Sequence, residues 1–291
     1  MSVTLASGDL EATFVPEAGM VGCSLTHRGE ELLGQRGGLE AYIAERKTMG
    51  IPLLYPWANR LSTTRFTVSG REVDIDPERT PLRLDGSGLP MHGLLGAAPG
   101  WRVEHQDEAT LEAVFDFAAD EALMAAFPFD HALRIDVTLD DITLRVATTV
   151  TAGTTGVPIA FGFHPYLMLP GVPRADWRVE IPVTEQLELD EQMLPTGNRT
   201  AVEIPAGPLG DRTFDDAYLA PPAPFALEGG GRRIELDFET GYPYAQVFAP
   251  PGDALIAFEP MTAPTNALVS GDFTPLEPGD SYRAVFAISV R

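Results

Sequence analysis

The sequence is poor in cysteine and has no long apolar run. Cys23 is the single cysteine among 291 residues, which excludes an intrachain disulfide and a multi-cysteine metal site. A lone thiol is typical of a reducing compartment, so we expect a cytoplasmic protein. Residues 1–14 lack the basic and apolar segments of a signal peptide, and no stretch approaches the ~18 apolar residues of a membrane-spanning helix. We therefore predict neither a signal peptide nor a membrane partner.

Positive charge is scarce as well. The chain has 20 basic and 42 acidic residues, for a formal net charge of −22, and Lys47 is the one lysine. Such a charge repels phosphate backbones and anionic lipid surfaces. We therefore expect no nucleic acid among the partners.

Helical periodicity is nearly absent, whereas strand patterns are frequent. Residues 132–151 read as two alternating strands around a turn at Asp140 and Asp141, and residues 120–127 form the one stretch with a helical pattern. The 26 prolines and 28 glycines suit short strands joined by tight turns. Without alternation of strands and helices, a parallel sheet is disfavoured. We predict an all-β fold, a large antiparallel β-sandwich, in a single domain over residues 1–291. Further predicted strands cover residues 10–16, 110–117, 232–238, 244–250, 254–260 and 281–290.

Two polar residues interrupt apolar stretches. His164 lies within "AFGFHPYLML" (residues 160–169), and Glu259 follows the apolar residues 256–258. Burial of an imidazole costs free energy unless its nitrogens are satisfied, and burial of a carboxyl raises its pKa towards neutrality. A pair of such groups suits acid and base catalysis near pH 7. A histidine held by backbone groups in the core is the alternative for His164.

Two further polar sites stand at the ends of apolar runs. Asn59 and Arg60 end "GIPLLYPWANRLS", and His92 precedes a glycine in "GLPMHGLLG". Each is open to a purely structural interpretation, as a solvated turn or a structural turn residue. Together with His164 and Glu259 they form a set that suits a neutral polyol. The remaining histidines, His27, His105 and His131, are expected at the surface.

The ordered motifs resemble those of the aldose 1-epimerases, or galactose mutarotases. The motifs are "PWANRLS", "MHGLL", "FGFHPYLML", "FDDAYLA", "AQVF" and "AFEPMTAPTNAL", which run from Pro56 to Leu268. Several motifs in the right order are far more specific than any one of them. The resemblance implies a large antiparallel β-sandwich, in agreement with the strand pattern.

The resemblance also implies roles for individual residues. It makes Glu259 the general base and His164 the general acid. An aspartate before an aromatic residue matches "DDAY", where the spacing to Tyr218 favours Asp215 over Asp216. The implied substrate-binding residues are Asn59, Arg60, His92, Asp215 and Gln246.

The activity implied by the resemblance is interconversion of the α and β anomers of a hexose. Glu259 takes the proton of the C1 hydroxyl, His164 protonates the ring oxygen, and the opened sugar closes on its other face. This isomerase chemistry calls for no metal and no cofactor. The expected partner is a small-molecule sugar, and the expected assembly is a monomer or homodimer. Trp57 is a candidate for stacking on the sugar, with core packing as the alternative.

Other functions stay open at this point. A hexose-6-phosphate 1-epimerase would use extra basic residues, for which Arg36, Arg46 and Lys47 are candidates. A non-catalytic carbohydrate-binding protein of the same fold is another alternative. A glycoside hydrolase would need two carboxylates beside the scissile bond. A zinc site from His92, His164 and Glu259 is a further hypothesis, which the lack of any local ligand pairing disfavours. The loop between Arg60 and His92 and the stretch after Glu259 both depart from the galactose enzymes, which leaves the sugar preference open.

Overall fold

The computed structural model describes residues 1–80 and 82–291. The helices are α1 (Gly38–Glu45), α2 (Glu121–Ala126) and α3 (Ala267–Ser270), with 3₁₀ turns at Pro16–Ala18, Phe117–Ala119 and Arg174–Asp176. The strands of the first half are β1 (Val3–Ser7), β2 (Leu10–Val15), β3 (Val21–His27), β4 (Glu30–Glu31), β5 (Leu53–Leu54), β6 (Arg65–Val68), β7 (Arg71–Asp74), β8 (Arg83–Leu84), β9 (Pro90–Met91), β10 (Arg102–Gln106), β11 (Thr110–Asp116), β12 (His131–Leu139) and β13 (Thr143–Ala152). Those of the second half are β14 (Val157–Ile159), β15 (Gly162–Phe163), β16 (Tyr166–Leu167), β17 (Arg178–Glu180), β18 (Glu185–Leu189), β19 (Pro195–Ala201), β20 (Gly207–Pro208), β21 (Phe214–Leu219), β22 (Phe225–Gly229), β23 (Arg232–Thr240), β24 (Tyr244–Ala249), β25 (Ile256–Met261), β26 (Thr274–Leu276) and β27 (Ser281–Val290).

Two large sheets dominate the fold. One has nine strands in the order β10-β11-β12-β13-β27-β23-β22-β17-β20. The other runs β19-β18-β21-β24-β25-β15-β5, with β16 also paired to β25. Every ladder between the described strands of these sheets is antiparallel. The predicted all-β class and large antiparallel β-sandwich are confirmed.

Aromatic side chains from the two sheets meet between them. Phe225 of β22 stacks on Phe258 of β25 with ring centroids 4.9 Å apart, and Phe163 of β15 lies 5.1 Å from Phe286 of β27. Aromatic pairs of this kind add to the free energy gained from burial alone. Because Phe258 fills the core, its neighbour Glu259 projects from the opposite face of β25.

The period-2 pattern of the sequence explains most of the long strands. In β12 the odd-numbered residues from His131 to Leu139 are buried, while the even-numbered ones are exposed or half-buried. The predicted turn at Asp140 and Asp141 joins β12 to β13, in a ladder from His131 and Ala152 to Leu139 and Leu144. The expected hairpin is confirmed.

The helices are short. The helical pattern over residues 120–127 predicts α2, whose first turn is capped by Asp120, with its carboxylate accepting from the backbone N–H groups of Ala122 and Leu123. Helix α1 was not anticipated, because its eight residues do not bury an amphipathic stripe. None of the helices in the described part of the chain is long and apolar enough to cross a membrane. The single-domain assignment over residues 1–291 stays a prediction.

The surface assignment of His131 is wrong. This side chain is buried, with Nε2 2.6 Å from the Tyr55 hydroxyl and Nδ1 2.6 Å from the Phe129 carbonyl oxygen. Its ring stacks on Phe117 at 4.3 Å. Burial lowers the pKa of His131 to about 4, so the ring is uncharged at neutral pH. The acidic neighbour Asp130, which suggests solvent exposure, precedes β12 and accepts hydrogen bonds from Thr154. His27 is buried too, whereas His105 is exposed as expected.

Replacement of His131 by phenylalanine should destabilise the fold. His131→Phe keeps the ring but leaves the Tyr55 hydroxyl and the Phe129 carbonyl without their partner, at a cost of about 2–4 kcal/mol. His105→Phe at an exposed position is the matched control and should change the free energy of unfolding by less than about 0.5 kcal/mol. Urea denaturation measures both variants. Equal stabilities for the two would contradict a structural role for His131.

Candidate active site

Three chain segments run side by side at the centre of the site. Residues 162–167 lie between residues 50–54 and β25, with Gly162 opposite both Leu54 and Met261. Farther along, Tyr166 is opposite Ala257. The two ladders to β25 share one register, in which His164 falls opposite Glu259. Pro165 follows His164, and because proline has no N–H it interrupts the ladder between β15 and β16 at this point.

The segments that carry Arg60 and His92 are joined by backbone bonds. The N–H of His92 donates to the carbonyl of Asn59 at 2.8 Å, and Arg60 bridges to Met91. Asn59 and His92 both adopt positive φ, at 57° and 64°. Non-glycine residues rarely adopt this conformation, and it costs free energy that the surrounding contacts must offset. Such residues concentrate at functional sites.

Gly93 fixes the position of the His92 loop against the preceding segment. Its φ is 72°, and a Cβ added there would lie 2.1 Å from the carbonyl oxygen of Tyr55. Any side chain would push the two backbones apart, so glycine is required by contact as well as by conformation. His92 is thereby held with its ring centroid 5.7 Å from that of His164.

His164 and Glu259 form a buried pair in close polar contact. His164 Nε2 lies 3.1 Å from Glu259 Oε1, and the two side chains are 5% and 2% exposed. Burial, reinforced by the negative charge of Asp215, raises the pKa of Glu259 well above its ordinary value, although Arg60 acts in the opposite direction. Burial lowers the pKa of His164 to about 3. Both shifts favour uncharged groups, so the pair shares one proton over a wide pH range.

Tyr166 supports the imidazole of His164 from one side. The two rings stack with centroids 4.1 Å apart and an interplanar angle of 18°. The Tyr166 hydroxyl is 2.7 Å from Thr48 Oγ1, which fixes the tyrosine in turn. Phe248 packs against the imidazole from another direction at 5.5 Å. The ring is therefore held in one orientation, with Nε2 towards Glu259.

Arg60 is clamped by two side chains. Its Nε donates to Asp85 at 2.8 Å, and one terminal nitrogen donates to Asn59 Oδ1 at 2.9 Å. Asp85 also accepts from the backbone N–H groups of Ser87 and Leu89. Burial acts to raise the pKa of Asp85, but these bonds together lower it below its ordinary value. Asp85 is therefore a carboxylate at neutral pH and orients the guanidinium.

Asn266 fixes the backbone of the turn that carries Arg60. Its N–H donates to the carbonyl of Arg60 at 2.9 Å, and its Oδ1 accepts from the N–H of Ser62 at 2.8 Å. The stretch after Glu259 thus shapes the turn that carries Arg60.

The adjacent aspartates of β21 point to opposite faces of their sheet. Asp215 pairs with Phe248 in the ladder and accepts a hydrogen bond of 2.8 Å from Gln246 Nε2. Gln246 in turn is opposite Glu259. Asp216 faces away and accepts from Gln186 at 2.9 Å. The alternation of a strand thus places Asp215, and not Asp216, beside Glu259.

These residues surround one cleft of about 280 Å³. Six of the seven predicted site residues line it, namely Asn59, Arg60, His92, His164, Asp215 and Glu259. Gln246 is 1% exposed and reaches the cleft through its bond to Asp215. Burial, followed by electrostatic interactions with His164, Arg83 and Arg60, lowers the pKa of His92 well below its ordinary value. His92 is therefore uncharged at neutral pH. Within the described ranges, no three His, Cys, Asp or Glu side chains are arranged to hold a metal ion.

A known protein family matches nearly the whole chain. The family model described as aldose 1-epimerase matches residues 1–289. The chain belongs to the aldose 1-epimerase family. The resemblance of the sequence motifs to the aldose 1-epimerases is thereby confirmed at the level of the family.

Individual proteins are similar to the chain over nearly its whole length. The uncharacterized protein YihR of Escherichia coli (strain K12) is 27% identical over 305 residues, which cover 99% of this chain and 92% of that protein. A galactose mutarotase-like protein from Clostridium acetobutylicum superposes with a TM-score of 0.85 at 19% identity, over 100% of this chain and 95% of the other. A galactose 1-epimerase from Lactobacillus acidophilus gives 0.76 at 15% identity, over 100% and 94%. At these identities the solved structures show the fold.

The aldose 1-epimerase cleft contains residues that the sequence motifs did not single out as site residues. Asp85, Arg83, Thr48, Tyr166 and Phe248 all line it. Tyr166 had a usable signal, since it follows His164 by two residues and strand alternation places both on one face. Asp85 and Arg83 lie in the long segment between Arg60 and His92. No hydrophobic periodicity there predicts which way a side chain points. Trp57, a candidate for stacking on a sugar, is 1% exposed within the core.

The protonation state of His164 can be measured directly. Because burial lowers its pKa to about 3, the ring should remain neutral as the pH falls from 8 to 5. NMR of ¹⁵N-labelled histidine, with His164→Gln to assign the signal, should show neutral-ring shifts throughout. An imidazolium signal at pH 6 would contradict this state of the pair.

Proposed function

We propose that this protein is an aldose 1-epimerase that interconverts the α and β anomers of a hexose. The observation that carries the proposal is the close contact of His164 Nε2 and Glu259 Oε1, 3.1 Å apart in a polar cleft. The substrate is a small-molecule sugar, and the enzyme works as a monomer or homodimer in the cytoplasm. Neither catalytic step requires a metal or a cofactor.

The chemistry needs an acid and a base at adjacent oxygens. In a cyclic aldose, the C1 hydroxyl oxygen and the ring oxygen are both bonded to C1. Two groups that already contact one another can therefore each reach one of these oxygens. Glu259 removes the hydroxyl proton while His164 protonates the ring oxygen, so the C1–O5 bond breaks and C1 becomes an aldehyde.

The proton count of the pair does not change over the cycle. Transfer of the proton of Glu259 to His164 first converts the uncharged resting pair into carboxylate and imidazolium. Ring opening returns it to carboxylic acid and imidazole, and both forms carry the same net charge. Rotation about the C1–C2 bond exposes the other face of the aldehyde. Ring closure then reverses both proton transfers, so one turnover consumes no proton.

The low polarity of the site reduces the difference in free energy between the charged pair, carboxylate and imidazolium, and the uncharged pair, carboxylic acid and imidazole. Burial disfavours the charged carboxylate and the charged imidazolium in the resting pair. Arg60 opposes this effect on Glu259 and supports its carboxylate form. His92, uncharged at neutral pH, can hydrogen-bond an oxygen on which charge develops without adding a second cation beside His164.

Asp215 supplies a hydrogen-bond acceptor for sugar hydroxyls. Its carboxylate lies in the cleft and is oriented by Gln246 at 2.8 Å. A carboxylate accepts well from the vicinal hydroxyls of a pyranose, since it presents two oxygens. Asp215 therefore holds the sugar on the side of Glu259, and the aldehyde intermediate stays bound while C1–C2 rotates.

Removal of the base should abolish most of the rate. Glu259→Gln preserves the shape of the side chain but cannot accept the C1 hydroxyl proton, so kcat should fall by about 10²- to 10⁴-fold. Polarimetry of freshly dissolved α-D-glucose and α-D-galactose measures this. Glu277→Gln, at an exposed position, is the matched control and should retain wild-type rates. Full activity of Glu259→Gln would eliminate the proposed mechanism.

The two neighbouring aspartates offer a second matched pair. Asp215→Asn removes the charge that accepts sugar hydroxyls, so KM should rise at least about 10-fold. Asp216→Asn changes the next residue, on the other face of β21, and should alter KM by less than about 2-fold. Steady-state mutarotation at a series of sugar concentrations separates KM from kcat. If Asp216→Asn weakened binding more than Asp215→Asn, the orientation of β21 would be assigned incorrectly.

A further inference from the structure

The two ends of the cleft carry different charges. At one end Asp215 is bonded to Gln246 beside Glu259. From Glu259 the contacts continue to His164, then to Tyr166, which stacks on it. Beyond Tyr166, two arginines, Arg36 and Arg83, line the opposite end. We call this opposite end the cationic end.

Arg83 lies at the cationic end without a carboxylate of its own. The side chain is half-buried, and its one side-chain bond is a long contact of 3.4 Å to Thr48 Oγ1. Across residues 1–80 and 82–291, no carboxylate oxygen lies within the 4.0 Å of an ion pair with it. Asp85 is nearby, but that carboxylate is engaged by Arg60 at 2.8 Å. The charge of Arg83 is therefore poorly compensated within the protein.

The surroundings of Arg83 make this charge costly. Burial, and after it the positive charges of Arg36 and Arg60, lower the pKa of Arg83, although Tyr166 and the carboxylate of Asp85 oppose the shift. An arginine remains protonated at neutral pH even so. Like charges held together in a half-buried cleft raise the free energy of the empty site, and an anion bound between them would lower it.

Arg36 is oriented towards the same place. One terminal nitrogen donates to the Tyr166 hydroxyl at 3.3 Å, and its guanidinium carbon lies 5.4 Å from the centre of the Tyr166 ring. Its nearest carboxylate, that of Asp253, is 4.0 Å away and half-exposed, which makes a weak ion pair. Arg36, Thr48 and Arg83 also line an adjoining open pocket of about 770 Å³, with Lys47 at its rim. The cationic end thus has room for a group larger than a hydroxyl.

The proposed reaction determines which sugar atom faces the cationic end. The ring oxygen, protonated by His164, is bonded to C1 on one side and to C5 on the other. C1 lies towards Glu259, so C5 and its substituent C6 lie on the far side of His164, where Tyr166, Arg36 and Arg83 are found. Resting on the proposed function, the geometry points to an aldose with an anionic group on C6, held by Arg36 and Arg83.

The acidity of the whole protein does not contradict this assignment. The net charge of −22 is spread over the surface. Exposed charges farther than about 8 Å are largely screened at physiological ionic strength, whereas paired groups in a cleft are not. Arginine guanidinium groups bind phosphate and carboxylate through two parallel hydrogen bonds, which suits either anion. The shared chemistry is a C6 anion, and the experiment below separates the two.

NMR exchange spectroscopy at anomeric equilibrium tests the assignment with four aldoses: glucose, galactose, glucose 6-phosphate and glucuronate. For the wild type, kcat/KM should be about 10- to 100-fold higher for at least one of the two anionic sugars than for glucose. Preference for glucose 6-phosphate would identify phosphate as the bound anion, and preference for glucuronate would identify carboxylate.

Arg83→Gln should reduce the ratio of kcat/KM for the anionic sugar to kcat/KM for glucose by about 10-fold or more. Arg65→Gln, on the exposed β6–β7 hairpin, is the matched control and should leave that ratio unchanged.

The remaining outcomes separate this assignment from the proposed function. Equal or faster turnover of glucose or galactose by the wild type would overturn the anion assignment while the epimerase function stands. An equal loss for neutral and anionic sugars in Arg83→Gln would overturn the role of Arg83. Arg36→Gln repeats the test if Arg83→Gln does not fold, as judged by thermal melting. Failure with all four sugars would overturn the proposed function and this assignment with it.

Discussion

The buried contact between His164 and Glu259 is the constraint on which the rest of the site depends. Two titratable groups are buried side by side, and burial favours the uncharged form of each. The contact exists because residues 162–167 run antiparallel to β25 in a register that sets these two residues opposite one another. Proline after His164 interrupts the ladder at that point, which leaves the imidazole free to face across to the carboxylate. The surrounding residues serve this pair, with Tyr166 and Phe248 fixing the ring and Arg60 and Asp215 acting on the charge of Glu259.

Most of the fold could be predicted from the sequence, because burial on one face of an antiparallel sheet imposes period-2 alternation over long strands. The hairpin of β12 and β13 has alternating patterns over nine and ten residues that no helix would share. The two-residue strands β5, β15 and β16 gave no such signal, since their position is set by partners far along the chain. His131 was misplaced for a related reason. Its acidic neighbour Asp130 precedes the strand and accepts hydrogen bonds from Thr154, whereas its own side chain lies on the buried face and bonds to Tyr55 from a distant segment.

The site was predictable where polar residues stand within apolar runs, as at His164 and Glu259. The residues of the site that position other side chains were less predictable. Asp85 orients Arg60, and Asn266 fixes the turn that carries Arg60. Both residues lie in segments without hydrophobic periodicity, where only tertiary packing determines which way a side chain points. The charge imbalance at Arg83 was equally hidden, because a formal net charge of −22 says nothing about which arginines lack a partner. Whether an arginine has a carboxylate partner depends on which residues are close to it in space.

The consecutive aspartates of β21 have a consequence for how the cleft tolerates insertions and deletions. A shift of one residue along a strand moves every side chain to the other face, and usually replaces a functional group by an unrelated one. In β21 a slip that brings Asp216 to the position of Asp215 would keep a carboxylate facing Gln246 and Glu259. The opposite slip would place Phe214 there. The doubled residue thus preserves the acceptor for sugar hydroxyls when the flanking loop changes length by one residue in one direction, but not in the other.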